Sequence, residues 1–123
     1  MKLHLAATAG LNTFTGYGEG YVVVNHVRHE RSLLVLPDRV ITDWAATTFE
    51  QLAAAHLAAL VPLAPEIVLL GTGARLRFPS REITAPLTQA RIGLEVMDVQ
   101  AACRTYNILA AEERKVAAAL LLE

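Results

Sequence analysis

Ile67-Val68-Leu69-Leu70, followed by Gly71-Thr72-Gly73, is the stretch on which the fold turns. Four apolar residues without polar alternation are too few for a helix and suit a strand covered on both faces. Such a strand lies inside a sheet, and its glycines would stand at the sheet's rim. Covering both faces calls for layers above and below it, which the rest of the chain must supply.

Upstream, Thr48 to Leu60 predicts a helix. Thr48 is suited to cap it, Gln51 stands three residues on as in a capping box, and Pro62 and Pro65 end it. Phe49, Leu52, Ala53, His56 and Leu60 share one face at helical spacing. Downstream, Arg75 to Phe78 alternates as a brief extended piece. Ser80 starts a modest helix toward Arg91, with Pro86 expected to interrupt it. Gly93 to Met97 predicts a strand, and Asp98 caps a helix to about Ala110 whose apolar face holds Val99, Ala102, Cys103, Tyr106, Leu109 and Ala110. The tail from Val116 to Leu122 stays open: Ala and Leu favour helix, shortness favours strand.

Before the helix at Thr48, residues Leu11 to Thr42 read as antiparallel β. Tyr21 to Val24, Ser32 to Leu36 and Arg39 to Thr42 are the expected strands of one meander, with Asn25 to Arg31 as a polar connection. Strands first, then alternating helix and strand, predict an α/β domain. Its sheet is mostly parallel, with helices on its faces and an antiparallel N-terminal layer.

The 123 residues fit one domain spanning residues 1–123. A hydrophobic share of 54% against 19% charged supplies a core and excludes the composition of a disordered chain. Net charge is -1, and neither half is basic: the first sixty residues hold four basic and five acidic side chains, the remainder seven of each. That balance argues against nucleic-acid binding by phosphate neutralisation. The one cysteine, Cys103, excludes an internal disulfide and fits a reducing compartment. Met1 to Ala7 is too short an apolar stretch for a signal peptide, and no apolar run reaches the length of a membrane span. The expected location is cytoplasmic, with no membrane insertion.

Candidate chemistry is sparse. Gly71-Thr72-Gly73 offers either a turn needing positive φ or an anion cradle of backbone N–H groups with the Thr72 hydroxyl. It lacks the third glycine of a dinucleotide loop and the lysine of a P-loop. His26 and His29 have metal-ligand spacing but sit in a loop without a third ligand, so no metal is expected. His56 reads as a hydrogen-bonded, partly buried helix residue. Cys103 reads as core, with no base near it in sequence. Among Glu95, Asp98, Glu112 and Glu113, Asp98 is already used as a cap. Glu112 and Arg114 read as an ion pair or a marginal site. Tyr106 needs a partner for its hydroxyl, and Asn107 is poor inside a helix. Fastening a neighbouring loop is favoured for this pair over ligand contact. No catalytic residue and no cofactor is assigned.

The run Gly93-Leu94-Glu95-Val96-Met97-Asp98, then Ala102-Cys103-Arg104-Thr105-Tyr106-Asn107-Ile108-Leu109, Glu112, Arg114 and Val116 to Leu120, resembles a known family. It is the small α/β family of unknown function that includes the mitochondrial respiratory complex I assembly factor 3 and uncharacterised bacterial and archaeal proteins. Leu70 to Gly73, Gly20-Tyr21, Val40 to Thr42 and Trp44 fit the same pattern; Asp98 stands where the family has threonine, and either can cap a helix. The resemblance implies a three-layer α/β fold with a mixed sheet and makes the tail a strand. It implies a non-enzymatic protein-binding or assembly module, with respiratory or membrane-complex subunits as partners and no stated oligomeric state. The rival reading is a small-molecule or anion-binding protein, or an enzyme, with its pocket at Gly71 to Gly73.

Overall fold

The computed structural model describes residues 10–123; the signal-peptide expectation for Met1 to Ala7 lies outside them. Five short strands come first: β1 (Phe14–Gly18), β2 (Tyr21–Val24), β3 (Val27–His29), β4 (Leu33–Leu36) and β5 (Arg39–Ile41). Helix α1 (Ala54–Ala58) and a 3-10 turn (Val61–Leu63) lead into β6 (Ile67–Gly71). Then follow α2 (Arg81–Gln89), β7 (Gly93–Met97), α3 (Val99–Ala111) and β8 (Val116–Leu120).

β6 is interior, as its apolar run requires. It pairs in parallel with β7 on one side and β8 on the other. β4 joins β8 antiparallel and β5 closes that edge, giving a five-stranded mixed sheet in the order β5-β4-β8-β6-β7. Successive side chains of a strand point to opposite faces. Val68, Leu70, Ala117 and Ala119 therefore meet Trp44, Leu52, Leu57, Leu60 and Leu87 in the layer of α1 and α2. Leu69, Val116, Ala118 and Leu120 meet Val99, Ala102, Cys103, Tyr106 and Ala110 of α3 on the other side. Phe14, Val22 and Val24 of the small antiparallel sheet β1-β2-β3 complete that layer. The molecule is thus three layers thick.

β8 is a strand although alanine and leucine favour helix. All five of its residues are buried, and both its edges are hydrogen-bonded, to β4 and β6. Tertiary pairing outweighs a propensity worth a few tenths of a kcal/mol per residue.

Four local expectations change. The N-terminal strands do not form one meander. β2 turns into β3 through Asn25 and His26, both at positive φ (49° and 68°), as a two-residue hairpin requires. β4 leaves for the central sheet, because all four of its residues are buried and a one-sided meander would expose half of them. The helix expected from Thr48 shrinks to α1. The Phe49 N–H donates to the Glu123 carboxylate at 2.6 Å, and Thr48 closes only a local turn with Gln51. Pro86 does not interrupt α2, which continues to Gln89. Arg75 to Phe78 forms no strand.

Candidate functional site

Gly71 ends β6, and its lack of a side chain serves close packing. A Cβ there would lie 2.8 Å from Leu120 Cδ2 and 3.2 Å from Val99 Cα, so α3 starts directly against the strand end. Gly73 has φ +88°, the conformation for which glycine is suited. Between them Thr72 is buried and fully engaged. Its N–H donates to the Met97 carbonyl at 2.9 Å. Its hydroxyl donates to the Arg75 carbonyl at 2.8 Å and accepts from the Arg77 N–H at 3.0 Å. The Gly73 carbonyl takes the Val99 N–H at 2.9 Å. The loop's polar groups are spent on the crossover into residues 74–77 and on the start of α3. A cavity of about 240 Å³ lies against Gly73, between the Gly18 to Gly20 turn and the start of α3, with Glu19, Asp98 and Glu123 on its walls.

Tyr106 and Asn107 act together elsewhere. Tyr106 is fully buried; its hydroxyl donates to the Asn12 carbonyl at 2.9 Å, and its ring meets Phe14 edge-on, centroids 5.1 Å apart. Asn107 accepts the Phe14 N–H and donates to the Phe14 carbonyl, both at 2.8 Å. A side-chain amide thereby replaces a neighbouring strand for one residue of β1. Burial raises the Tyr106 hydroxyl pKa. Cys103, on the same face, has its thiol pushed up to about 12 by burial, so it is core and holds its proton. Asp98 caps α3 by accepting the Ala101 N–H at 2.9 Å.

Glu112 and Arg114 lie at the far end of α3. Glu113 takes the left-handed conformation (φ 64°), and the N–H groups of Glu113 and Arg114 close the helix on Ala110 and Leu109. Arg114 pairs not with Glu112 but with Glu66, at 3.6 Å, at the start of β6. The Lys115 N–H donates to Glu66, and this bond, with Arg114, holds the Glu66 carboxyl below the usual range. Arg114 also edges a cleft of about 400 Å³ floored by Leu36, Leu63, Ala110 and Val116. Its rim carries Asp38, Glu113 and Lys115. The length of β6 separates this cleft from Gly73. The candidate residues therefore occupy three places: strand-end loop, interlayer clamp and opposite rim.

His26 and His29 stand in the β2–β3 hairpin, and no cluster of metal-ligating side chains occurs among the described residues. His56 is half-buried; its Nδ1 accepts the Ala53 N–H at 3.0 Å, as expected of a hydrogen-bonded histidine.

Sequence reading passed over Arg77. Its guanidinium bonds Glu50 at 2.6 Å and Glu123 at 3.0 Å and lies over the Phe49 ring, 4.5 Å from its centroid. That bond to Arg77 is the main reason the Glu50 carboxyl sits below its usual range. The partners are distant in sequence, so no spacing signals them. Beside Arg77, Leu76 and Phe78 are exposed, at 48% and 72%.

The chain matches, over residues 14–121, the model of a family described as a protein of unknown function (DUF498/DUF598). An uncharacterised Rhodobacter capsulatus protein is 33% identical over 114 residues, which cover 92% of this chain and 86% of that protein. The Danio rerio NADH dehydrogenase [ubiquinone] 1 alpha subcomplex assembly factor 3 is 35% identical over 89 residues, 71% of this chain and 51% of the factor. The chain thus spans about half the length of that assembly factor. A 13 kDa major membrane protein of Francisella tularensis is 27% identical, covering 88% of this chain and 89% of that protein. Among solved structures, a Bordetella parapertussis protein superposes with TM-score 0.87 at 42% identity, covering 94% of this chain and 98% of that one. A Bartonella henselae outer membrane protein superposes with TM-score 0.75 at 29% identity, covering 92% and 96%. A Bordetella pertussis protein called a Mth938-like domain reaches 0.79 at 35% identity, covering 93% and 87%.

Proposed function

The chain belongs to this family of unknown function, and on that premise we propose that it is a non-enzymatic protein-binding module serving the assembly of a membrane-bound complex. The kinship with the assembly factors carries this reading. It is supported by the engagement of Thr72, Tyr106, Asn107 and Asp98 within the protein, where they act as fasteners. The partners in this reading are subunits of a respiratory or other membrane complex. Deleting the gene should lower the amount of assembled NADH-oxidising complex while its unassembled subunits persist, as native gel electrophoresis would show. An unchanged complex would overturn the reading.

The proposed location is the cytoplasmic face of a membrane. Cys103 is a free, buried thiol, which suits a reducing compartment. No described helix is long and apolar enough to cross a bilayer, yet two relatives are named as membrane proteins. Peripheral attachment accommodates both facts. The protein should sediment with membranes at low salt and leave them at high salt.

A second reading puts a small anion in the cavity beside Gly73. The three carboxylates on its walls oppose it. A thermal-shift titration with inorganic phosphate and nucleotides tests it, since a ligand bound only by the folded state raises apparent stability.

A further inference from the structure

We propose that the segment from Ala74 to Arg81 is an interfacial anchor that inserts Leu76 and Phe78 into the headgroup region of an anionic bilayer. The proposal rests on the membrane-side location given above and names the surface that makes the contact.

Among the described residues, four large apolar side chains are exposed: Val27, Leu76, Phe78 and Ile108. Val27 and Ile108 stand on separate elements, and isolated exposed apolar residues are ordinary. Leu76 and Phe78 are two positions apart in one segment, and that segment is held. The Thr72 hydroxyl bonds the Arg75 carbonyl and the Arg77 N–H. The Arg77 side chain is drawn inward onto Phe49, Glu50 and Glu123. With Arg77 pointing in, the positions on either side of it point out. The fold thus spends hydrogen bonds and ion pairs to keep an aromatic and an aliphatic side chain in water, where a loose loop would fold them against the surface.

The charges beside the pair select the occupant. Arg75 and Arg81 are exposed, and neither has a carboxylate within ion-pair distance among the described residues. Glu50 and Glu123 both bond Arg77, Glu50 also lies within the field of Arg75, and Glu82 follows Arg81, so Arg75 and Arg81 are the exposed cations of this segment without a bonded carboxylate. Apolar side chains flanked by arginines are the composition of interfacial anchors, in which the rings and aliphatic chains enter the acyl boundary and the guanidinium groups meet lipid phosphates. Side chains standing out from the surface fit a fluid interface without needing a matching pocket.

The test is flotation of the full chain with vesicles of equal parts phosphatidylglycerol and phosphatidylcholine, beside vesicles of phosphatidylcholine alone. The wild type should float with the anionic vesicles, less so at high salt. Phe78→Ser should lower the partition coefficient about tenfold. Arg75→Gln and Arg81→Gln should each lower it roughly fivefold on anionic vesicles and little on neutral ones. All three positions are exposed, so an unchanged thermal midpoint checks that each variant folds. In a Phe78→Trp variant, emission should shift to the blue on adding anionic vesicles. Absence of flotation, or flotation indifferent to Phe78→Ser, overturns the proposal. So does a result in which Phe78→Ser abolishes a concentration-dependent dimer or binding to a purified protein partner but not to lipid. If vesicle binding fails while deletion still lowers the assembled complex, the anchor falls and the assembly reading stands. If the vesicles bind and deletion leaves the complex unchanged, the reverse holds.

Discussion

Asn107 bonds both backbone groups of Phe14, ninety-three positions away, whereas the Thr72 hydroxyl makes its two shorter bonds to Arg75 and Arg77, within five. Both are polar side chains that the sequence marks as possible ligand contacts, and both hold backbone instead. They differ in what they hold. Asn107, with Tyr106, ties the small sheet to α3 and so joins elements far apart in the chain. Thr72 shapes a short loop whose ends are already fixed. A long-range clamp opposes the entropy of closing a large loop, and its loss is felt by the whole fold. A local clamp sets the direction of the few side chains it presents.

This contrast orders the expected effects. Asn107→Ala should cost the most, roughly 2–4 kcal/mol, because it removes two hydrogen bonds and strands a partly buried N–H and carbonyl. Urea unfolding measures it; a loss below that of Thr72→Val would break the comparison. Alkali should act next, and on the same layer. Cys103 ionises at 9.0 in its ordinary state and at about 12 when buried. The unfolded chain therefore releases its proton first, and stability falls as pH rises from about 9 toward 12. By about pH 10.5 the loss should be on the order of 2 kcal/mol. Tyr106, whose pKa is likewise raised by burial, acts in the same direction. Cys103→Ala should flatten the alkaline slope, and iodoacetamide should leave the native thiol unlabelled at neutral pH.

Thr72→Val should cost about 1–2 kcal/mol through the unpaired Arg77 N–H and Arg75 carbonyl. Its sharper signature is local: hydrogen exchange should quicken at Arg77 while the amides of β1 keep their protection. Glu123→Gln should be the mildest, under about 1 kcal/mol, since the pair with Arg77 is partly solvated and the amide oxygen still accepts hydrogen bonds. An effect as large as that of Asn107→Ala would show that the rim carries global stability.

The legible parts of this chain were those with short-range signatures. The apolar run at Ile67, the Asp98 cap and the apolar face of α3 all lie within a few residues of the features that announce them. Cys103 as core and Asn107 as a fastener were the favoured readings, because no base stands near the thiol in sequence and an amide is poor inside a helix. The partition of the N-terminal strands was not readable. It depends on Asn25 and His26 accepting positive φ and on β8 offering an edge to β4. Arg77 escaped notice for a similar reason: its partners Glu50 and Glu123 come near only after folding.

Local composition determined that this is an α/β chain with a buried strand, a glycine-ended rim and a single core thiol. Hydrophobic burial and capping act over a few residues, so the string contains them whole. Tertiary structure decided which strands share a sheet, that an alanine-rich tail is a strand, and that Thr72 and Asn107 grip backbone. Those outcomes depend on hydrogen-bond partners and packing surfaces that distant segments supply only when the layers close.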